Sequence, residues 1–160
     1  MLGVAIKKSD MEFRFRYKNA EKSTGFLLWQ VTNDWQHQIN IALRPLKLTQ
    51  AQFVLLAAVG WLDSHNVFAT QKEVSIFSHI DVMTTSQVLR RLEGRKLIMR
   101  KNHPSDIRAY VLSITREGSV LLNKALEVVE DTDGAFFRTI GIKLDRFTLI
   151  LKQLSEQNSR

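Results

Sequence analysis

The chain has no cysteine among its 160 residues. That absence removes disulfides, thiolate metal sites, cysteine nucleophiles and thiol redox sensing, and is compatible with a reducing cytoplasm. Long apolar runs are missing too. No segment reaches the ~20 uninterrupted apolar residues of a membrane span, and the N-terminal MLGVAIKKSDMEFRFRYKN has no apolar stretch ending in a cleavage site. The expectation is a soluble, unprocessed, cytoplasmic protein that does not engage a membrane. Glycine and proline are scarce, at seven and two residues. No glycine-rich loop for a phosphate, no metal-motif helix and no His-containing triad is visible. The four histidines, His37, His65, His79 and His103, are scattered without ligand spacing. Neither an enzyme nor a metal or other cofactor is expected.

Acidic residues are the remaining deficit: 16 against 23 Lys and Arg, a formal net charge of +7 and a sequence pI near 9.9. The excess is concentrated. Asp81 to Arg116 carries eight basic and three acidic residues, a net of +5, and the first 22 residues carry a net of +3. Ser23 to Ile80 is balanced at three of each sign, and Glu117 to Arg160 has six basic and seven acidic residues. Such a stretch reads either as a solvated basic face or as a surface for an anionic polymer. With 44% hydrophobic and 24% charged residues, the chain can build one compact core.

Periodicity supplies the elements. GFLLWQVTNDWQHQINIALRPL places Leu28, Val31, Trp35, Ile39 and Ala42 with Leu43 at helical spacing and stops near Pro45. Thr49 with Gln52, and Thr70 with Glu73, have the spacing of capping boxes before AQFVLLAAVGWLD and QKEVSIFSH. Asp81 is placed to cap VMTTSQVLRRLEGR. LIMRK and AYVLSIT then alternate with period two around NHPSD, a β-hairpin with Tyr110, Leu112 and Ile114 on one face. Thr115 caps a further helix expected to break near Gly134. A last helix, KLDRFTLILKQL, carries Leu144, Phe147, Leu151 and Leu154 in one stripe. Two helices joined by a tight turn and followed by a hairpin predict a mainly α fold with a small β wing, a winged helix-turn-helix.

At 100° per residue, the helix after Asp81 turns Thr85, Val88, Leu89 and Leu92 towards the core. Met83, Ser86, Gln87 and Arg90 then face outwards, with Thr84 and Arg91 on the flanks. A hydroxyl, an amide, a guanidinium and a thioether are groups that read base edges in a major groove; they are also found on ordinary polar helix surfaces. On the hairpin, Arg108 can enter an adjacent minor groove, with Asp106 pinning its guanidinium. The plainer reading is a surface ion pair worth about 0–1 kcal/mol that shapes the turn.

LIMRKNHPSDIRAYVLSITREG resembles the signature of the multiple antibiotic resistance regulator (MarR) family. It has a strand ending in Arg, a wing with Asp-x-Arg, an alternating strand, and Thr-x-x-Gly opening a helix. LTQAQFVLL, TQKEVSIFSHID and TTSQVLRRLE match the family's helices in order and spacing, and the resemblance runs from about Gly25 to Leu154. It implies a homodimeric winged-helix transcription factor, most commonly a repressor, in which Phe26 to Leu43 and the C-terminal helices interlock two chains. It also implies that Met83, Thr84, Ser86, Gln87 and Arg90 read the major groove, with Arg91 at the flank, while Arg108, oriented by Asp106, enters the minor groove. The operator would be a double-stranded pseudo-palindrome with half-site centres about 34 Å apart. The domains on this reading are a basic, aromatic arm at 1–25, a dimerisation region at 26–47 and 116–160, and a winged helix-turn-helix at 48–115.

Family members commonly answer to small aromatic ligands held between the dimer helices and the reading domain. Trp29, Trp35, His37 and Phe53, with Trp61, are candidates to line such a cleft, although aromatics at helical spacing are more often core. In the arm, Phe13, Phe15 and Tyr17 alternate with charged residues, as in a strand packing on the dimer or, less simply, stacking on nucleic acid. One departure from the family pattern stands out. Lys96 occupies the place where relatives usually have a glycine, and the nearby glycine is Gly94; a left-handed lysine there would cost on the order of 1 kcal/mol. The alternative function is a winged-helix module that binds a protein, or a partner that does not bind DNA.

Overall fold

The computed structural model describes residues 19–65, 67–103 and 109–158. The chain divides into two units, Met1–Trp35 and Gln36–Arg160. In the first, a 3-10 turn at Ala20–Lys22 is capped by Asn19, whose Oδ1 accepts the Glu21 N–H at 3.0 Å. Helix α1 (Thr24–Leu43) follows and continues into the second unit. Within the first unit Phe26 and Trp29 stack at 6.0 Å, and Phe26, Leu27, Leu28, Trp29 and Val31 are all exposed.

The second unit holds the core. After α1 come α2 (Gln50–Ser64), α3 (Gln71–Ser78), α4 (Val82–Gly94), β1 (Ile98–Asn102), β2 (Tyr110–Ile114), α5 (Arg116–Phe137) and α6 (Leu144–Asn158). Leu55, Leu56 and Val59 of α2, Val74 of α3, Leu89 and Leu92 of α4, Ile98 of β1 and Leu112 of β2 form one buried cluster. The helix starts follow their capping residues. Thr49 Oγ1 accepts the Gln52 N–H at 3.3 Å while Gln52 Oε1 accepts the Thr49 N–H at 3.0 Å, a complete capping box. Thr70 Oγ1 likewise accepts the Glu73 N–H at 3.3 Å, but the return bond is not made. The Thr70 N–H is already given to the Phe68 carbonyl at 2.8 Å.

β1 and β2 pair antiparallel, from Ile98 opposite Ile114 to Asn102 opposite Tyr110. Leu112 faces the core as the alternation required, whereas Tyr110 is exposed. The hairpin is anchored from outside itself: Leu112 N–H donates to the Ala69 carbonyl at 2.9 Å, and Ile114 N–H to Asp63 Oδ2 at 3.0 Å. The break anticipated at Gly134 is not there. α5 runs through it to Phe137, since an exposed glycine costs a helix only about 1 kcal/mol against alanine. The turn comes instead at Gly141, whose φ of 57° with ψ of −136° suits glycine alone.

Candidate nucleic-acid interface

α3 and α4 are joined by His79, Ile80 and Asp81, and local chemistry holds that joint. α3 ends on His79 in the left-handed conformation. The Ile80 carbonyl then accepts two hydroxyls, Ser75 Oγ at 2.7 Å and Thr85 Oγ1 at 3.2 Å, so each helix is tied to the same atom of the turn. Asp81 Oδ1 accepts the Thr84 N–H at 2.9 Å and caps α4. The backbone N–H of Thr84, followed by its hydroxyl, holds the Asp81 carboxyl below the ordinary value of 3.8.

The faces of α4 divide as its periodicity demands. Thr85, Val88, Leu89 and Leu92 are buried, Thr85 completely. Met83 is 75% exposed; Thr84, Gln87, Arg90 and Arg91 are exposed and Ser86 is half-buried. The structure thus brings Met83, Thr84, Ser86, Gln87, Arg90 and Arg91 onto the solvent side of one capped helix. Asp106 and Arg108 lie outside the described residues.

The far end of α4 is a Schellman turn. Lys96 N–H donates to the Glu93 carbonyl at 2.8 Å and Leu97 N–H to the Leu92 carbonyl at 3.0 Å, with Lys96 at a φ of 58° where glycine is usual. A like turn follows α1, where Lys47 has a φ of 54° and the N–H groups of Lys47 and Leu48 donate to the Arg44 and Leu43 carbonyls. Arg95 joins the two turns, its Nη1 donating to the Lys47 carbonyl at 2.8 Å. The hairpin is fixed to α5 next to this point. Thr115 Oγ1 lies 2.8 and 3.0 Å from the Lys96 and Leu97 carbonyls and accepts the Gly118 N–H. A Cβ on Gly118 would stand 2.0 Å from the Leu97 oxygen, which is why Thr-x-x-Gly needs its glycine.

The local cationic excess is therefore smaller than its count. Arg95 is spent on Lys47, and Arg100 is bonded through Nε to Glu93 Oε2 at 2.9 Å. Neither pairing had a signal in the sequence, because each crosses between elements. Of the aromatic ligand candidates, Trp29 and Trp35 belong to the first unit and His37 and Phe53 to the second. His37 is exposed, and Phe53 packs on the core cluster. Among the described residues, no three His, Asp or Glu side chains gather as a metal site, and no helix is long and apolar enough to cross a membrane.

A capped helix presenting polar groups to solvent, set behind a three-residue turn and beside an anchored hairpin, defines a winged helix-turn-helix of the nucleic-acid-reading type. Residues 48–110 match the family model described as the MarR family. The HTH-type transcriptional regulator YdcH of Bacillus subtilis (strain 168), described as uncharacterized, is 38% identical over 144 residues, spanning 90% of this chain and 97% of its own. Two crystal structures share the fold. CouR from Rhodococcus jostii RHA1, bound to p-coumaroyl-CoA, superposes with a TM-score of 0.74 at 24% identity, covering 87% of this chain and 94% of CouR. A mutant MarR from E. coli, complexed with operator DNA, does so with 0.72 at 21% identity, covering 81% and 91%. The chain belongs to the MarR family, whose members are DNA-binding transcriptional regulators and not enzymes.

Proposed function

We propose that this protein is a homodimeric, cytoplasmic repressor that reads a pseudo-palindromic operator and is released from it by a small ligand. Residues 48–115 carry the DNA and residues 26–47 with 116–160 pair the chains. The observation that carries the reading is the sidedness of α4: four buried residues lock the helix while Met83, Gln87 and Arg90 stand out from it. Gln87 can pair with adenine, Arg90 with guanine and Met83 can touch a thymine methyl. Arg108 enters the flanking minor groove with Asp106 orienting it.

Pairing of two chains is supported by apolar side chains that a lone chain leaves in water, among them Leu28 and Trp29 of α1 and Leu149, Ile150 and Leu154 of α6. The operator-bound state of the E. coli protein supports the DNA reading, and the p-coumaroyl-CoA complex of CouR supports a ligand-relieved one. Salt tests it. Affinity for duplex DNA should fall steeply as salt rises, with a slope set by the phosphates neutralised. An affinity indifferent to salt, or equal for duplex and unrelated polyanions, would favour a protein-binding module instead.

A further inference from the structure

The second unit contains a cleft of about 570 Å³ bounded by the start of α3, by α4 and by the wing. Val82, Leu89 and Leu112 supply apolar wall, and Lys72, Arg100 and Glu73 supply charge. Glu73 is the one acid in the lining, and it is unspent. Its expected partner, the Thr70 N–H, is bonded to the Phe68 carbonyl at 2.8 Å, so the capping box does not close on it. Among the described residues, Glu73 Oε2 is the buried side-chain polar atom that has no hydrogen-bond partner. A carboxylate oxygen shut from water without a donor forfeits its hydration for nothing, and such atoms in native proteins call for a reason.

The neighbouring cations do not supply one. Arg100 gives its Nε to Glu93 at 2.9 Å. Lys72 is adjacent in the helix, where consecutive residues do not face each other, and is exposed. An inorganic cation needs several ligands, and no cluster of three exists among the described residues. An organic donor needs only one acceptor and an apolar bed, and the cleft volume lies within the ~300–1,000 Å³ of small-molecule sites.

We infer that this cleft binds a small organic cation, an alkyl- or arylammonium that donates an N–H to Glu73 Oε2 and rests its apolar body on Val82, Leu89 and Leu112. The walls belong to the reading helix and to the wing, so an occupant sets one against the other. That consequence for DNA rests on the function proposed above; binding of the cation does not, and is measured without DNA.

The test is calorimetric titration of the full chain with phenethylamine and, separately, with 3-phenylpropionate, which has a similar apolar body and the opposite charge. The amine should bind saturably and the acid should not. Glu73→Gln should weaken amine binding at least tenfold and, having lost an unpaired buried charge, should melt no lower than the parent. Val82→Trp, at an exposed position of the rim, should block the amine with the carboxylate intact. Equal binding of amine and acid, undiminished amine binding by either variant, a lower melting temperature for Glu73→Gln, or no saturable amine binding would each overturn the inference.

Discussion

Lys96 shows how far one residue can depart from its family without changing the fold. It sits at the left-handed position of a Schellman turn, and the strain is offset by bonds on both sides: its N–H to the Glu93 carbonyl and its own carbonyl to the Thr115 hydroxyl. Lys96→Gly should therefore raise stability by up to about 1 kcal/mol, seen as a higher urea midpoint with unchanged slope; a lower midpoint would mean that the lysine side chain holds the turn. The outward residues of α4 have a different signature. Gln87→Ala and Arg90→Ala should each relax preference at particular base positions by about 1–3 kcal/mol, whereas Arg108→Ala should weaken every duplex and flatten the salt slope. Binding measured against a panel of single-base variants separates the two; uniform weakening from Gln87→Ala or Arg90→Ala would make them backbone contacts. These side chains were legible because a wheel needs only local spacing. Arg95, Arg100 and Glu73 were not, since what each one meets, or fails to meet, is decided by a partner on another element.

At the scale of the element, caps were the most readable feature. Thr49, Thr70, Asp81 and Thr115 each start the helix assigned to them, because a side-chain oxygen two or three residues before an orphan N–H is a local arrangement. The end of α5 was misplaced for a related reason. Glycine marks a break only where the chain needs positive φ, a need that exists at Gly141 and not at Gly134. The cap on α4 also carries a pH dependence. The folded Asp81 carboxyl titrates below 3.8, so its stabilisation is present above that value and is lost as pH falls through the lowered one. Asp81→Asn keeps an acceptor but cannot ionise. The parent should be the more stable of the two at pH 7 and should lose that advantage by about pH 3; a difference in urea midpoint that stays constant with pH would remove the charge from the cap's action.

For the whole molecule, the order of helices and the wing were visible in the sequence, but what holds the wing in place was not. Leu112 to Ala69, Ile114 to Asp63 and the seat of Gly118 against Leu97 fasten the hairpin to α2, to the segment before α3 and to α5. The same body that carries α4 therefore carries the wing, and both can meet one duplex. With exposed leucines on α1 and α6 joining two such bodies, the account requires a two-fold site. Selection of bound duplexes from random-sequence DNA by the full chain tests this most directly. A pseudo-palindrome with half-site centres about 34 Å apart is the predicted result; no enriched sequence, or an enriched site with a single unsymmetric half, would contradict it.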